Sequence, residues 1–339
     1  MKRRGNVFES CVCFQSLERA AYRAFRANRE HGDALRFMYT LECEALELER
    51  ELVSGIYQPG PYRCFTIYEP KERHIAAAPF RDRVVHHAVC AALEPVFEAR
   101  HIYDSYACRK NKGAHRAVAR AQQFARSSSY FLKCDIRKYF DSVHHGRLKA
   151  LLGRQFKDRR FLSLLECIVD HNAPNHAPGR GIPIGNLTSQ YFANVYLDQL
   201  DHFVKEQLHI KRYLRYMDDF LCFSDDKSVL QEALYVMDGF LDAHLALALK
   251  QEKCYVAPVR QGIPFLGMRV YPGTIRVSRP ALVRCRRKLK RREKAFQEGG
   301  ITEEALIQSV GSLIAHISHA NTVTLRRQWF RKNGTVPAA

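Results

Sequence analysis

Apolar residues recur at helical spacing from Ala34 to Val53, through Leu35, Met38, Leu41, Ala45 and Leu52, and Ser54-Gly55 then stops the run. Tyr57 to Pro61 reads as a Pro/Gly turn and Tyr62 to Tyr68 as a short strand. Further helices are predicted over Asp82 to Phe97, with Val85, Val89 and Leu93 inward, and over the Ala-rich Gly113 to Arg126. The run Tyr130-Phe-Leu-Lys-Cys-Asp135 is a strand ending on a carboxylate. His171 to Gly181 is a loop, and Asn186 to Leu208 a long helix. Two apolar runs around Met217-Asp218-Asp219 make Tyr213 to Ser224 a hairpin, followed by a helix over Val229 to Ala248 and a strand over Phe265 to Tyr271. After Gly273 the pattern changes: eight of the eleven residues from Arg284 to Lys294 are basic. Leu306, Val310, Leu313, Ile314 and Ile317 then mark an amphipathic helix. The alternation implies an α/β or α+β core with a helical lobe, bounded near Tyr271 to Gly273.

Composition excludes several classes. At 339 residues, with 46% hydrophobic and 26% charged, the chain is neither disordered, collagen-like nor a coiled-coil rod. No apolar run approaches the ~20 residues of a spanning helix. No secretion signal follows the basic Met1 to Arg4, so a cytoplasmic location with no membrane partner is expected. Fifty-four Lys and Arg against 35 Asp and Glu give a formal charge of +19, which calls for a polyanion, nucleic acid before an anionic membrane surface. The eleven scattered cysteines form no C-x-x-C pair and read as reduced core thiols.

Carboxylates carry the chemistry. Asp218 and Asp219 are adjacent at a hairpin flanked by apolar strands, where like charges are costly unless a cation neutralises them. A solvated acidic turn is the bland alternative. Asp135 ends another strand, with Phe140 and Asp141 close behind. Acids on neighbouring strand tips suit Mg²⁺, which prefers oxygen donors. Two such ions about 3.5–4 Å apart clamp an in-line phosphoryl displacement. With the basic surface, this suggests nucleotidyl transfer.

Asp135-Ile-Arg-Lys-Tyr-Phe140-Asp141, Gly181-Ile-Pro-Ile-Gly185, Tyr216-Met-Asp-Asp219 and Phe265-Leu-Gly267 follow one another in the order of the reverse transcriptase motifs, and the chain resembles that family from about Arg63 to His319. Pro183-Ile184-Gly185 followed by Ser189-Gln190, Tyr106 to Gly113, and Leu313 to Asn321 are most similar to the reverse transcriptases of diversity-generating retroelements, which also lack RNase H, endonuclease and integrase stretches. Antiphage-defence reverse transcriptases and maturase-like RNA-binding proteins are the alternatives.

The resemblance implies a right-hand α+β polymerase: an N-terminal helical extension over 1–60, fingers and palm with a small antiparallel sheet over 61–272, and a helical thumb over 273–339. It implies RNA-directed DNA synthesis with two Mg²⁺ ions, for which Mn²⁺ can substitute, held by Asp135, Asp218, Asp219 and the Ile136 carbonyl. It assigns the nucleotide to Lys71, Arg73, Arg83, Phe140, Ile184, Gly185, Gln190 and Lys253. In that assignment Phe140 is the steric gate against a 2′-hydroxyl, and Lys253, with Lys250 as rival, protonates pyrophosphate. Core packing for Phe140, a solvated hairpin for Lys71-Glu-Arg73, and a helix-start ion pair for Asp82-Arg83 remain alternatives. Relatives place Gln where Ile184 stands, so copying is expected to be error-prone opposite template adenines, unless Ile184 only packs. Arg284, Arg287, Lys288 and Arg291 are expected along the nucleic-acid backbone. The implied partners are template RNA, the RNA/DNA duplex, dNTPs and a small helical accessory protein forming a basic barrel.

Overall fold

The computed structural model describes residues 3–26, 28–68, 71–174 and 176–332. The order begins with helices α1 (Phe8–Val12), α2 (Phe14–Phe25), α3 (Gly32–Tyr39) and α4 (Leu41–Ser54). A hairpin of β1 (Arg63–Ile67) and β2 (Arg73–Ala77) leads to α5 (Phe80–Glu98), α6 (Ala114–Arg126) and β3 (Tyr130–Asp135). Next come α7 (Tyr139–Ser142), α8 (His145–Gly153), α9 (Arg159–Asp170) and α10 (Leu187–His202). The hairpin β4 (Tyr213–Tyr216) and β5 (Asp219–Ser224) precedes α11 (Lys227–Phe240). Short strands β6 (Tyr255–Pro258), β7 (Ile263–Phe265), β8 (Met268–Val270) and β9 (Ile275–Val277) are followed by α12 (Arg279–Gln297), α13 (Glu303–Ser318) and α14 (Val323–Lys332).

These elements gather into two compact units, each assembled from separated stretches of chain. The first holds the chain up to Arg109 with Asp135–His209 and Tyr235–Lys250. Its core is helical: Leu17, Ala21 and Ala24 of α2 and Val84, Val85, Val89 and Leu93 of α5 are buried, as are Phe192, Val195 and Tyr196 of α10. The second holds Lys110–Cys134, Ile210–Leu234 and the chain from Gln251 onward. It contains a four-stranded sheet, β4-β5-β3-β6, and a three-stranded one, β7-β8-β9. Ala117, Ala121, Phe124 and Ala125 form the buried face of α6, and Phe124 packs on Phe223 with ring centroids 5.7 Å apart.

Local chemistry adjusts several expected boundaries. The run from Ala34 to Val53 is two helices, parted at Thr40, whose hydroxyl bonds the Arg36 carbonyl at 3.2 Å. Its buried stripe is Ala34, Phe37, Leu41, Ala45, Leu48 and Leu52, whereas Leu35 is exposed. Gly55 caps α4 at φ 75°, the left-handed conformation glycine adopts freely. The strand expected over Phe265 to Tyr271 is a hairpin instead. Leu266 and Gly267, at φ 48° and 79°, turn β7 back onto β8. The last turns of the two long expected helices widen into π-helix at Phe203–Gln207 and Leu241–Leu245. None of the eleven cysteines is in a disulfide, but Cys43, Cys64 and Cys108 are exposed rather than in the core. No helix among the described residues is long and apolar enough to cross a membrane.

Candidate functional site

In the second unit the sheet places the acidic turn. Tyr216 pairs with Asp219, leaving Met217-Asp218 as a two-residue turn. Met217 stands at φ 56°, unusual for a side chain of its size. The guanidinium of Arg215, fully buried, donates to the Met217 carbonyl at 3.2 Å and holds the turn. Ser129, just before β3, donates its N–H to Asp225 at 3.0 Å, while Lys133 reaches Asp219 at 2.5 Å. The two strands therefore run antiparallel, and the carboxyl end of β3 shares one edge of the sheet with the turn.

Lys133 answers the electrostatic question raised by adjacent carboxylates. Its ammonium meets Asp219 with both side chains mostly buried, at 12% and 24% exposure. It also lies 5.7 Å from the centroid of the buried Phe265 ring. Phe265-Leu-Gly267 thus contributes a turn and a ring behind Lys133, not a continuous strand. Lys133 is absent from the sequence-based site. The available signal was its spacing: it is two residues before Asp135, on the same strand face, between the buried Leu132 and Cys134.

The donor chemistry of the turn suits a hard divalent cation: the carboxylate oxygens of Asp218 and Asp219. Among the described residues, no group of three or more His, Cys, Asp or Glu is arranged to hold an ion alone. Such an ion would complete its shell with water and substrate phosphate, as Mg²⁺ commonly does.

The first unit fixes the chain after β3. The Asp135 carbonyl accepts the Lys250 N–H at 2.8 Å, Ile136 bridges Leu249, and Arg137 N–H bonds Ala248 at 2.9 Å. Lys250, the rival of Lys253, is thereby seated against Asp135 by its backbone, whereas Lys253 lies in a 3₁₀ turn, Gln251–Lys253, of the second unit. Lys138 at φ 42° starts α7. Tyr139 is buried and its hydroxyl donates to the Ala193 carbonyl at 2.5 Å, which leaves Phe140 half-buried. The Phe140 carbonyl accepts the Ile182 N–H at 2.9 Å. A hydrogen bond from His176 holds the Asp141 carboxyl below its ordinary range.

The Gly181 to Gly185 loop is bonded to β2. Ala76 donates its N–H to the Ile184 carbonyl at 2.9 Å. Gly185 has φ 123°, and a Cβ there would come within 2.9 Å of Ile75. Only glycine fits both constraints. The Ile184 side chain is half-buried. Asn186 accepts from the Ala78 N–H at 3.2 Å, Ser189 is buried, and Gln190 accepts from Cys108 at 3.1 Å. A cleft of about 480 Å³ opens here, lined by Arg63, Phe65, Ile75, Arg83 and Gly185 among others. Arg83 is turned onto the Ala78 carbonyl at 2.8 Å and onto Asn28, so Asp82 is not its ion-pair partner; Asp82 accepts from Tyr57 and Gly60. Burial first, then His87, His171 and Arg83, lowers the buried His86 beside the cleft to about 3. Arg73, at the head of β2, and Lys71 before it are exposed.

On α12, Ser278 caps the N-terminus, and Ala281, Cys285 and Leu289 are buried at four-residue spacing. Arg284 is half-buried, while Arg287, Lys288 and Arg291 are exposed. Their spacing makes one basic stripe flanking the buried face. Asn321, from the tail motif, joins the edge of β9 through its N–H to Ile275 O at 2.8 Å and its side chain to Ile275 N–H at 3.0 Å.

The family model described as "Reverse transcriptase (RNA-dependent DNA polymerase)" matches residues 69–270. Protein YkfC of Escherichia coli K12 is 27% identical over 275 residues, covering 68% of this chain and 72% of that protein. The group II intron-encoded protein LtrA of Lactococcus lactis is 28% identical over 162 residues, covering 46% of this chain and 27% of that one. Among solved structures, telomerase from Candida albicans, in complex with a fragment of telomeric RNA, aligns with TM-score 0.50 at 12% identity, over 79% of this chain and 58% of that chain. Apo telomerase from Candida tropicalis aligns at TM-score 0.51 and 10% identity, over 65% and 49%. The chain therefore spans less than two thirds of LtrA and of these telomerases.

Proposed function

Because this chain belongs to the reverse transcriptase family, the RNA-dependent DNA polymerases, and has their right-hand fold, we propose that it makes DNA by metal-dependent nucleotidyl transfer at the β4–β5 turn. The observation that carries this reading is the turn itself: Asp218 and Asp219 beside the carboxyl end of β3, held by a buried Arg215 and neutralised by Lys133. Divalent cations, when bound, supply the charge that stabilises the transferring phosphoryl group. The protein supplies the carboxylates of Asp135, Asp218 and Asp219. Lys133 holds the Asp219 carboxylate in position through their ion pair. Phe140, half-buried on a helix pinned by Tyr139, excludes a 2′-hydroxyl by bulk. The test is primer extension by Asp218→Asn and Asp219→Asn, together and singly. Loss of extension by at least about a hundredfold, with RNA binding retained, is expected; a double variant that still extends overturns the assignment.

We further propose that the template is a retroelement RNA and that copying is error-prone at template adenines. Ile184 supports this. Its carbonyl is clamped by the Ala76 N–H, and its aliphatic side chain is half-buried. A Gln there would bond the incoming nucleotide only when the pair has correct geometry, and such a contact is worth on the order of 1–2 kcal/mol. Ile184→Gln should lower adenine misincorporation roughly tenfold, read by deep sequencing of cDNA from one template. Equal error spectra reduce Ile184 to packing. A maturase-like role is the second reading, favoured by the likeness to an intron-encoded protein. It predicts that RNA processing survives Asp218→Asn.

A further inference from the structure

Within the first unit, the end of α10 and the stretch following α11 widen into π-helical turns, the two such turns among the described residues. Single π turns are rare and recur at functional sites. Here they arrange aromatic rings. Phe203 opens the first turn and Phe240 immediately precedes the second. Their rings stack at 4.1 Å and 14°. His244 stacks on Phe240 at 4.5 Å and 18°, making Phe240 the middle ring of three. His244 is exposed, so the ladder ends in a planar face at the surface.

Both π turns border one groove of about 410 Å³, whose walls also carry Arg147, Arg154 and His202. Arg154 is exposed. The Arg147 guanidinium makes a long bond, 3.4 Å to the Asp242 carbonyl. Glu206, the acid in the groove, is engaged by His202 at 2.6 Å. Asp198, beneath, is held by His101 at 2.8 Å. The groove therefore pairs a stack of rings with two arginines whose charge is not cancelled inside it. A flat, π-faced and anionic ligand fits that combination. A nucleobase stacks on aromatic rings and its phosphate meets arginine, which is how unpaired nucleotides are bound. An acidic peptide would use the arginines but leave the rings without a planar partner. The +19 charge favours the nucleic acid.

We propose that this groove docks unpaired nucleotides of a single-stranded RNA, a base continuing the Phe203–Phe240–His244 ladder and its phosphates meeting Arg147 and Arg154. The proposal goes beyond the polymerase reading, so binding is measured without dNTPs and with divalent cations chelated. The probe is a 5-iodouridine RNA of about 12 nucleotides, whose photo-crosslinking reports a stacked aromatic side chain, applied to the full chain and mapped by mass spectrometry. Crosslinks are expected on peptides carrying Phe240 and His244. His244→Ala should weaken them, and affinity, about fivefold, while His244→Tyr, which keeps a ring, should restore both. Arg147→Ala with Arg154→Ala should flatten the log–log salt dependence by about 1.4. Circular dichroism checks that each variant is folded. Crosslinks confined to other peptides, or a yield indifferent to His244→Ala, overturn the proposal. So does capture of a protein partner that depends on His244 while RNA binding does not. The Asp218→Asn variant should keep the crosslinks, which separates failure here from failure of the polymerase assignment.

Discussion

At the scale of single residues, the acidic turn depends on a cation that is 86 positions away in sequence. Lys133 and Asp219 are shielded enough that the surviving partner of a broken pair stays poorly solvated. Lys133→Met should therefore destabilise the fold by about 1–3 kcal/mol, read as a lower urea midpoint at unchanged slope. Lys133→Arg, which keeps the charge, should recover most of it. Equal midpoints for Lys133→Met and the native chain would make the pair a surface contact without energetic weight. The reading of Lys133 was open in principle, because Lys133 and Asp135 share a strand face. Its partner was not, since nothing local says which strand lies beside β3.

At the scale of elements, α12 shows how a charge-dense helix is oriented. Burial of Ala281, Cys285 and Leu289 fixes one face. Arg284, Arg287, Lys288 and Arg291 then fall on one flank by the 3.6-residue period alone. Arg286 lies on another flank, over the Trp329 ring at 4.9 Å. If the stripe follows a duplex backbone, each cation releases about one counterion. Neutralising the four should flatten the log–log salt dependence of RNA/DNA hybrid binding by about 3–4. A slope that does not respond would put the phosphate track on another element. The strongly periodic elements, β3, α6 and the β4–β5 hairpin, were legible in sequence. The Leu266-Gly267 turn was not, because a Leu at positive φ carries no sequence mark.

At the scale of the whole molecule, the buried His86 links folding to pH. Desolvation keeps it neutral in the folded state, at about 3, while it titrates near 6.5 when unfolded. A histidine with a depressed native pKa costs nothing above the unfolded value. As pH falls from about 6.5 towards 3, the unfolded state takes up a proton that the folded state refuses, and stability is lost. Melting temperature should fall over that window, and His86→Gln should make its decline shallower. An identical pH profile in the variant would move the acid sensitivity to other groups.

Sequence by itself determined the α+β class, the positions of most helices, the carboxylates at strand ends and the family, because these depend on short-range periodicity and on motifs that keep their order. The tertiary structure decided what those residues face. Sheet order β4-β5-β3-β6 joined Lys133 to Asp219. The approach of β2 restricted residue 185 to glycine. Helix packing chose Ala34 and Phe37 over Leu35 as the buried stripe, and two π turns aligned Phe203, Phe240 and His244 into one ladder. Each of these rests on contacts between distant stretches of chain, whose pairing is set by burying the most apolar surface with every polar group satisfied, a condition no local window of sequence contains.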